Sequence, residues 1–390
     1  MHNVDELAIV LGVGVDRVRG TEPILLTVQI VNTSAKGPGG EGGGGQDTPF
    51  ITLTSQGKSL LDAERNLAKT SSRKLFFSHN KIVVLGKNFT ASDISEAMDY
   101  IQRNREFRRT NLIVVAEQTA KEVLETKLDM EKLPALGLHD MLVSKNQPFI
   151  YPVNINDFLL NLKTDIGVSY APVVNLQDVT QENNVNQEQA AGKPGESSGA
   201  KDSAKLHLDK MAIFKNNRLV GTLNEQESIG FLWLINKLKR DTVVISFPLA
   251  EEDKEISVEI FKGSSKIIPH ITDRGITMEI VCTGEAELRE AGNLSAQLKD
   301  LQMYRQLEQE TEKLLKARVE QTIARAQHDL KADFIGFGNQ IHNYNPTEWR
   351  LVKADWDQRF PEIQYTITFH VTMRKAGIIK GSATFRNNEE

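Results

Sequence analysis

Residues 294–331 hold neither glycine nor proline, and within them Leu294, Leu298, Leu301, Tyr304, Leu307, Leu314, Leu315, Val319, Ile323, Ala326 and Leu330 recur at steps of three and four. That period is helical. It predicts one helix of about 35 residues, roughly 50 Å long, whose apolar face has to lie on other apolar surface. Glu312 is spaced to pair with Lys316 on the polar face, an interaction of only about 0.2–0.5 kcal/mol. Burial must therefore hold the helix. A coiled-coil arm would draw on the same residue types, but the apolar positions slip after Leu314 and no heptad persists beyond about two or three repeats. Packing on a sheet is the expectation.

The flanking sequence supplies that sheet. Residues 242–247, 255–261, 265–271 and 275–287 alternate apolar and polar, with Gly263-Ser264 and Asp273-Arg274-Gly275 as turns between them. After the helix, residues 331–338 close it with two glycines, Asn345-Pro346 opens a second helix, and residues 362–373 alternate as a returning strand, with residues 377–385 as a further candidate.

At 390 residues the chain exceeds one compact core. Three domains are expected: 1–130, 131–240 and 241–390, the last carrying the β-meander, the long helix 294–331 and the returning strands. Lys plus Arg number 47 against 52 Asp plus Glu, a net charge of −5, which gives no reason to expect nucleic acid as a partner. The single cysteine, Cys282, lies in a predicted strand, so no internal disulfide or thiolate metal cluster can form, and a buried inert thiol is expected. No apolar run approaches the eighteen or so residues that cross a bilayer. Met1 to Leu7 run almost at once into a strand, without the charged and apolar regions of a signal peptide. Either the protein is cytosolic or a leader precedes this sequence.

The first 130 residues alternate strands (7–15, 24–31, 50–54, 81–86, 111–116) with helices, one capped by Ser59 with Leu60, Ala63, Leu67 and Ala68 inward, one begun by Ser92 or Asp93, one over 119–128. The Gly-rich loop 36–49 lacks the Gly-Lys-Ser/Thr ending of a phosphate cradle, and Arg17 occupies the third glycine position after Gly12-Val13-Gly14. The first reads as a surface loop and the second as strand. Residues 181–204 are polar, nearly free of large apolar groups, and read as a disordered loop inside the middle domain.

Arg103, Arg105, Arg108 and Arg109 surround Phe107. They complement the negative end of the preceding helix, or they form a docking patch for an acidic partner or anionic lipid head groups. His79 has no second histidine at ligand spacing, which favours a turn residue over a metal ligand. No Gly-x-Ser-x-Gly elbow is present, since the string at 195–199 lies in the polar stretch 181–204 and not between a strand and a helix, His-Glu-x-x-His is missing from the sequence, and Cys282 has no identifiable histidine partner. No catalysis, cofactor or metal is expected. Trp349 and Trp356, seven apart on one predicted helix, share a face and read as core, while Asp333, Gly336 and Gly338 shape a turn at the helix end.

In order along the chain, Asp5-Glu6-Leu7 with Gly14-Val15-Asp16, Gln29-Ile30-Val31-Asn32, the helix 63–67, Ser78-His79-Asn80-Lys81, Arg105 to Arg109, and Met211-Ala-Ile-Phe214 with Leu219-Val220-Gly221 lead to Asp333-Phe-Ile-Gly336-Phe-Gly338, Pro346, Trp349, Trp356 and Phe360. This series resembles the Ger(x)C lipoproteins, the C subunit of bacterial spore germinant receptors. The resemblance implies an α+β protein of three domains, each a mixed or antiparallel sheet flanked by helices. It implies a non-enzymatic subunit of a nutrient-sensing complex, partnered by the integral membrane A and B subunits and other germination lipoproteins. It also implies attachment to the outer face of the spore inner membrane through an acylated, palmitate-bearing N-terminal cysteine. No cysteine precedes His2 here, so a removed signal and lipobox are expected. The alternative function is a lipoprotein that itself binds a small-molecule germinant.

Overall fold

The computed structural model describes residues 6–32, 48–128, 131–144, 147–178, 204–249, 252–273, 275–290 and 301–374. Nearly all of the loops expected at 36–49 and 181–204, and the whole of 294–300 and 377–385, lie outside the described residues. The chain forms two compact units, Met1–Thr222 and Leu223–Glu390.

The first unit runs β1 (Leu7–Arg17), β2 (Ile24–Val31), β3 (Phe50–Gly57), α1 (Leu60–Thr70), β4 (Lys74–Phe76), β5 (Ile82–Leu85), α2 (Lys87–Thr90), α3 (Ser95–Arg103), β6 (Leu112–Ala116), α4 (Ala120–Glu125), α5 (Pro134–Val143), β7 (Val153–Asn154), α6 (Ile155–Leu162), β8 (Val168–Asp178), β9 (Ala204–Lys215) and β10 (Arg218–Leu223). Eight strands follow the order β10-β9-β8-β6-β5-β1-β2-β3, with β4 beside β1 and β7 beside β6. The central neighbours β1, β5, β6 and β8 are parallel. Every residue of β5 and β6 is buried, as expected of strands covered on both faces. Asn216 and Asn217, both at positive φ, turn β9 into β10. The boundary expected at 130/131 falls between α4 and α5, within this one sheet-bearing unit.

Two buried polar side chains tie helix ends to the sheet. Asp16 of β1 accepts the Ala120 and Lys121 amides at 2.8 and 3.0 Å, adding to the Thr119 capping box of α4. Gln29 of β2 donates to the Leu124 carbonyl at the end of α4 and accepts the Ala135 amide at the start of α5. Gly12 and Gly14 let both helices close on β1: an added Cβ would stand 2.7 Å from the Ala135 Cβ and 3.0 Å from that of Ala120. Ser59 does cap α1 over buried Leu60, Ala63 and Leu67, but Ala68 is exposed because it sits one position past the inward stripe. The helix expected from Ser92 or Asp93 starts at Ser95, whose amide Asp93 accepts at 2.8 Å, and α4 ends at Glu125, short of 128.

The second unit runs α7 (Glu225–Leu234), β11 (Asp241–Leu249), β12 (Glu252–Thr272), β13 (Gly275–Glu290), α8 (Leu301–Ala324), α9 (Phe337–Tyr344), α10 (Pro346–Val352), α11 (Trp356–Arg359) and β14 (Gln364–Arg374). The sheet order is β11-β12-β13-β14, antiparallel except for the parallel β13–β14 pair that α8 to α11 connect. The expected turn at Gly263-Ser264 is absent, and β12 runs through it as one strand. Gly263 pairs with Gly284 of β13, and both face Trp233, whose ring carbons would lie 2.8 and 3.1 Å from added Cβ atoms. The glycine signal marks a socket for an indole instead of a reversal.

α8 buries Leu307, Thr311, Leu315, Val319, Thr322 and Ile323. Leu314 and Tyr304 are only half-buried. Its near approach to α7 rests on Gly230, where a Cβ would stand 2.2 Å from the Thr322 hydroxyl, which itself donates to the Glu227 carbonyl at 3.0 Å. Arg318 reaches buried Asp241 at 2.9 Å. Glu312 does not pair with Lys316. It accepts the Val371 amide at 2.8 Å, and Glu308 accepts that of Met373 at 2.8 Å. Four residues of helix rise about 6 Å and two residues of strand about 6.7 Å, so the carboxylates keep step with the outward amides of β14. Beyond α8 the helix widens into one π-turn, Arg325–Asp329, and stops at Lys331, the left-handed residue with φ 46°, ahead of both expected glycines.

Candidate interaction site

Phe107 is buried, stacked on Phe77 at 5.3 Å, and pins the segment after α3 against the core. The four arginines around it do different things. Only Arg103 lies in the last turn of α3, and its Nε bonds both Asp99 oxygens at 2.8 and 2.7 Å in full solvent. Arg105, Arg108 and Arg109 are exposed and, among the described residues, have no carboxylate partner. With Ile101, Phe107, Ile155 and Leu159 they line a cavity of about 290 Å³.

Arg108 also lines a second, wholly different cavity of about 230 Å³, with Ser78, His79, Asn80, Lys81, Thr110, Asn111 and His139. Asn80 and Asn111 stand just before β5 and β6, at the amino ends of two parallel strands. They are 2% and 4% exposed. Their backbones are fixed, since the Asn80 amide donates to the Phe77 carbonyl and the Asn111 carbonyl accepts from Ile155. Their side chains are not: Nδ2 and Oδ1 of Asn80 and Nδ2 of Asn111 are buried without a hydrogen-bond partner. Each such group costs about 1–3 kcal/mol. His79 packs its ring on Phe76 and is exposed. The sequence marked Asn80 only as part of a motif and Asn111 only as a strand start, because an asparagine before an apolar run looks the same whether or not its amide is paired.

The C-terminal signature is built the opposite way. Asp333 is buried, with Oδ1 accepting the Gly336 and Phe337 amides at 2.8 and 2.9 Å and Oδ2 accepting the Gly338 amide at 2.7 Å and the Trp356 indole at 3.1 Å. Gly336 has φ 86°, which suits glycine. Burial pushes the Asp333 carboxyl up to about 6 against the downward pull of these four donors. Asn345 caps α10 by accepting the Thr347 and Glu348 amides, with Pro346 at its first turn. Trp349 and Trp356, 2% and 3% exposed, meet edge to face at 5.3 Å. They stand on two helices joined by a 3-10 turn, Lys353–Asp355, instead of one continuous helix.

Cys282 is buried in β13, where burial pushes its thiol up to about 12, leaving it protonated and unreactive. Among the described residues no three His, Cys, Asp or Glu side chains are grouped to hold a metal ion. Among them also, no helix is long and apolar enough to cross a membrane.

Residues 1–176 match the family described as spore germination protein N-terminal domain, and residues 209–377 the one described as spore germination B3/GerAC like, C-terminal. Relatives in Bacillus subtilis (strain 168) include spore germination protein KC, 26% identical over 385 residues covering 97% of this chain and 91% of the relative. Spore germination protein YndF is 28% identical over 366 residues, covering 92% and 83%. In fold the chain is similar to the crystal structure of the GerBC protein, with a TM-score of 0.58 and 18% identity over 93% of this chain and 97% of that one. Two spore germination domains in series therefore make up the α+β chain. It belongs to the Ger(x)C family.

Proposed function

We propose that this chain is a non-enzymatic subunit of a nutrient germinant receptor, required for spore germination and acting through contacts between protein surfaces. Its partners are the A and B membrane subunits and other germination lipoproteins, and an N-terminal lipid holds it on the outer face of the spore inner membrane. The observation that carries the reading is the likeness to spore germination proteins over nearly the whole chain, joined to signature residues such as Asp16, Gln29 and Asp333 that are spent on internal hydrogen bonds. Arg105, Arg108 and Arg109 are the docking candidates: they are exposed, carry no carboxylate partner among the described residues, and are held by a buried phenylalanine.

The test is deletion of the gene in a spore former, followed by release from dormancy with a panel of amino acids and sugars. Loss of response to at least one nutrient is expected, restored by the wild-type gene. A form with Arg105, Arg108 and Arg109 changed to glutamate should accumulate normally but fail to restore the response or to co-purify with the membrane subunits. Unchanged germination to every nutrient in a strain lacking all sister receptors would overturn the receptor role.

A further inference from the structure

The cavity between the entries to β5 and β6 is lined by basic, amide and hydroxyl side chains. Its exposed side chains include Arg108 and Lys81, with His79 and His139 beside them, and no carboxylate is among its lining residues. Asp140 holds His139 Nδ1 at 2.9 Å from outside the lining, so the positive charge that faces the cavity is that of Arg108 and Lys81, suited to an anion. Its buried side chains, Asn80 and Asn111, offer amide hydrogens that no protein group accepts. Both polar atoms of Asn80 are unpaired, so the conclusion holds whichever way its amide is turned. The Asn80 oxygen adds a requirement, because it needs a donor. An oxyanion that also carries a hydroxyl meets every one of these needs: oxygens for Arg108, Lys81 and the two amide NH2 groups, and an O–H for Asn80 Oδ1. At about 230 Å³ the space is below the range that holds drug-sized ligands, which points to a small ion or acid.

We propose that this cavity binds a small hydroxylated oxyanion, a hydrogen phosphate group or a short hydroxycarboxylate, between Arg108 and the side-chain amides of Asn80 and Asn111. The inference stands on the cavity alone and does not depend on the receptor reading. Both strand entries contribute, so an occupant would also cross-link β5 and β6 at their amino ends.

The full chain, with asparagine side chains labelled for NMR, is titrated with inorganic phosphate, glycolate and acetate at constant ionic strength. Saturable shifts of the Asn80 and Asn111 side-chain amides are expected with phosphate or glycolate, and at least about tenfold weaker binding of acetate, which leaves the Asn80 oxygen unpaired. Arg108→Gln, an exposed change that leaves the core intact, should weaken binding about tenfold or more. Asn80→Leu should abolish it, and Arg65→Gln on α1 should leave it unchanged. Vesicles containing phosphatidic acid distinguish sources: competition with phosphate identifies a lipid head group, and its absence a free anion. Linear, unsaturable shifts with every probe, or equal affinity in wild type and Arg108→Gln, would overturn the proposal.

Discussion

Asp333 and Asn80 are both buried polar residues in family motifs, and they have opposite fates. Asp333 receives three backbone amides and an indole, all donors, from a turn whose left-handed Gly336 exists to present them. Asn80 receives nothing at its side chain. A buried polar group that is fully met organises the chain around it, whereas one left unmet leaves binding capacity at the edge of a cavity. Asp16 and Gln29 in the first unit share the fate of Asp333, so the difference lies between individual motif residues and not between the two units.

The widest gap between Asp333 and Asn80 should open with Asp333→Ala, which strands three buried donors at about 1–3 kcal/mol each and the part-buried Gly336 amide. A loss of about 4 kcal/mol or more, seen in denaturant melting of the second unit, is expected, and a loss below about 1 kcal/mol would erase the contrast. Arg318→Met tests a second group that is met within the protein: it leaves Asp241 buried without its cation, for an expected loss of about 3 kcal/mol. A third test uses protons. Folding raises the Asp333 pKa from 3.8 to about 6, so the folded state holds the proton more tightly. The stability this gives is complete below about pH 4 and is lost as pH rises through about 6, an amplitude on the order of 3 kcal/mol. Urea melts across that range should show the fall in wild type, and its persistence in Asp333→Ala would assign it elsewhere. The smallest effect carries the opposite sign. Asn80→Leu removes two unpaired polar atoms, so stability should stay level or rise by about 1 kcal/mol. A clear loss in the same melts would mean that the Asn80 amide is satisfied after all.

Much of this was legible in the residues because the patterns are physical. Apolar, β-branched runs located β1 and β2, alternation located β14, and the glycine-free amphipathic stretch located α8 and its need for an apolar bed. Ser59 and Asn345 announced helix starts through cap chemistry that depends on one side chain. Legibility failed where one residue type serves two ends. Gly263 signals a turn and a socket equally well, and only the distant Trp233 decides between them. Glu312 has a lysine at the right helical spacing, yet the outward amide of Val371, 59 positions away, wins it. The arginine cluster was visible, but its division was not: Asp99 and Glu106, four and three positions from Arg103, are both within reach of it, and only the structure shows Asp99 taking Arg103 while Arg105, Arg108 and Arg109 have no carboxylate partner among the described residues. The Asn80 and Asn111 pair needed three dimensions, because 31 positions separate two side chains that share one cavity wall.

Glu308 and Glu312 have an implication for how other chains can approach the second unit. They occupy amide positions on β14 that an incoming extended peptide would have to claim in order to lengthen the sheet. A helix wedged along that margin acts as a permanent competitor, already seated and tethered. Recruitment by strand addition is closed along that stretch, and recognition there has to proceed through the outward side chains of α8 itself.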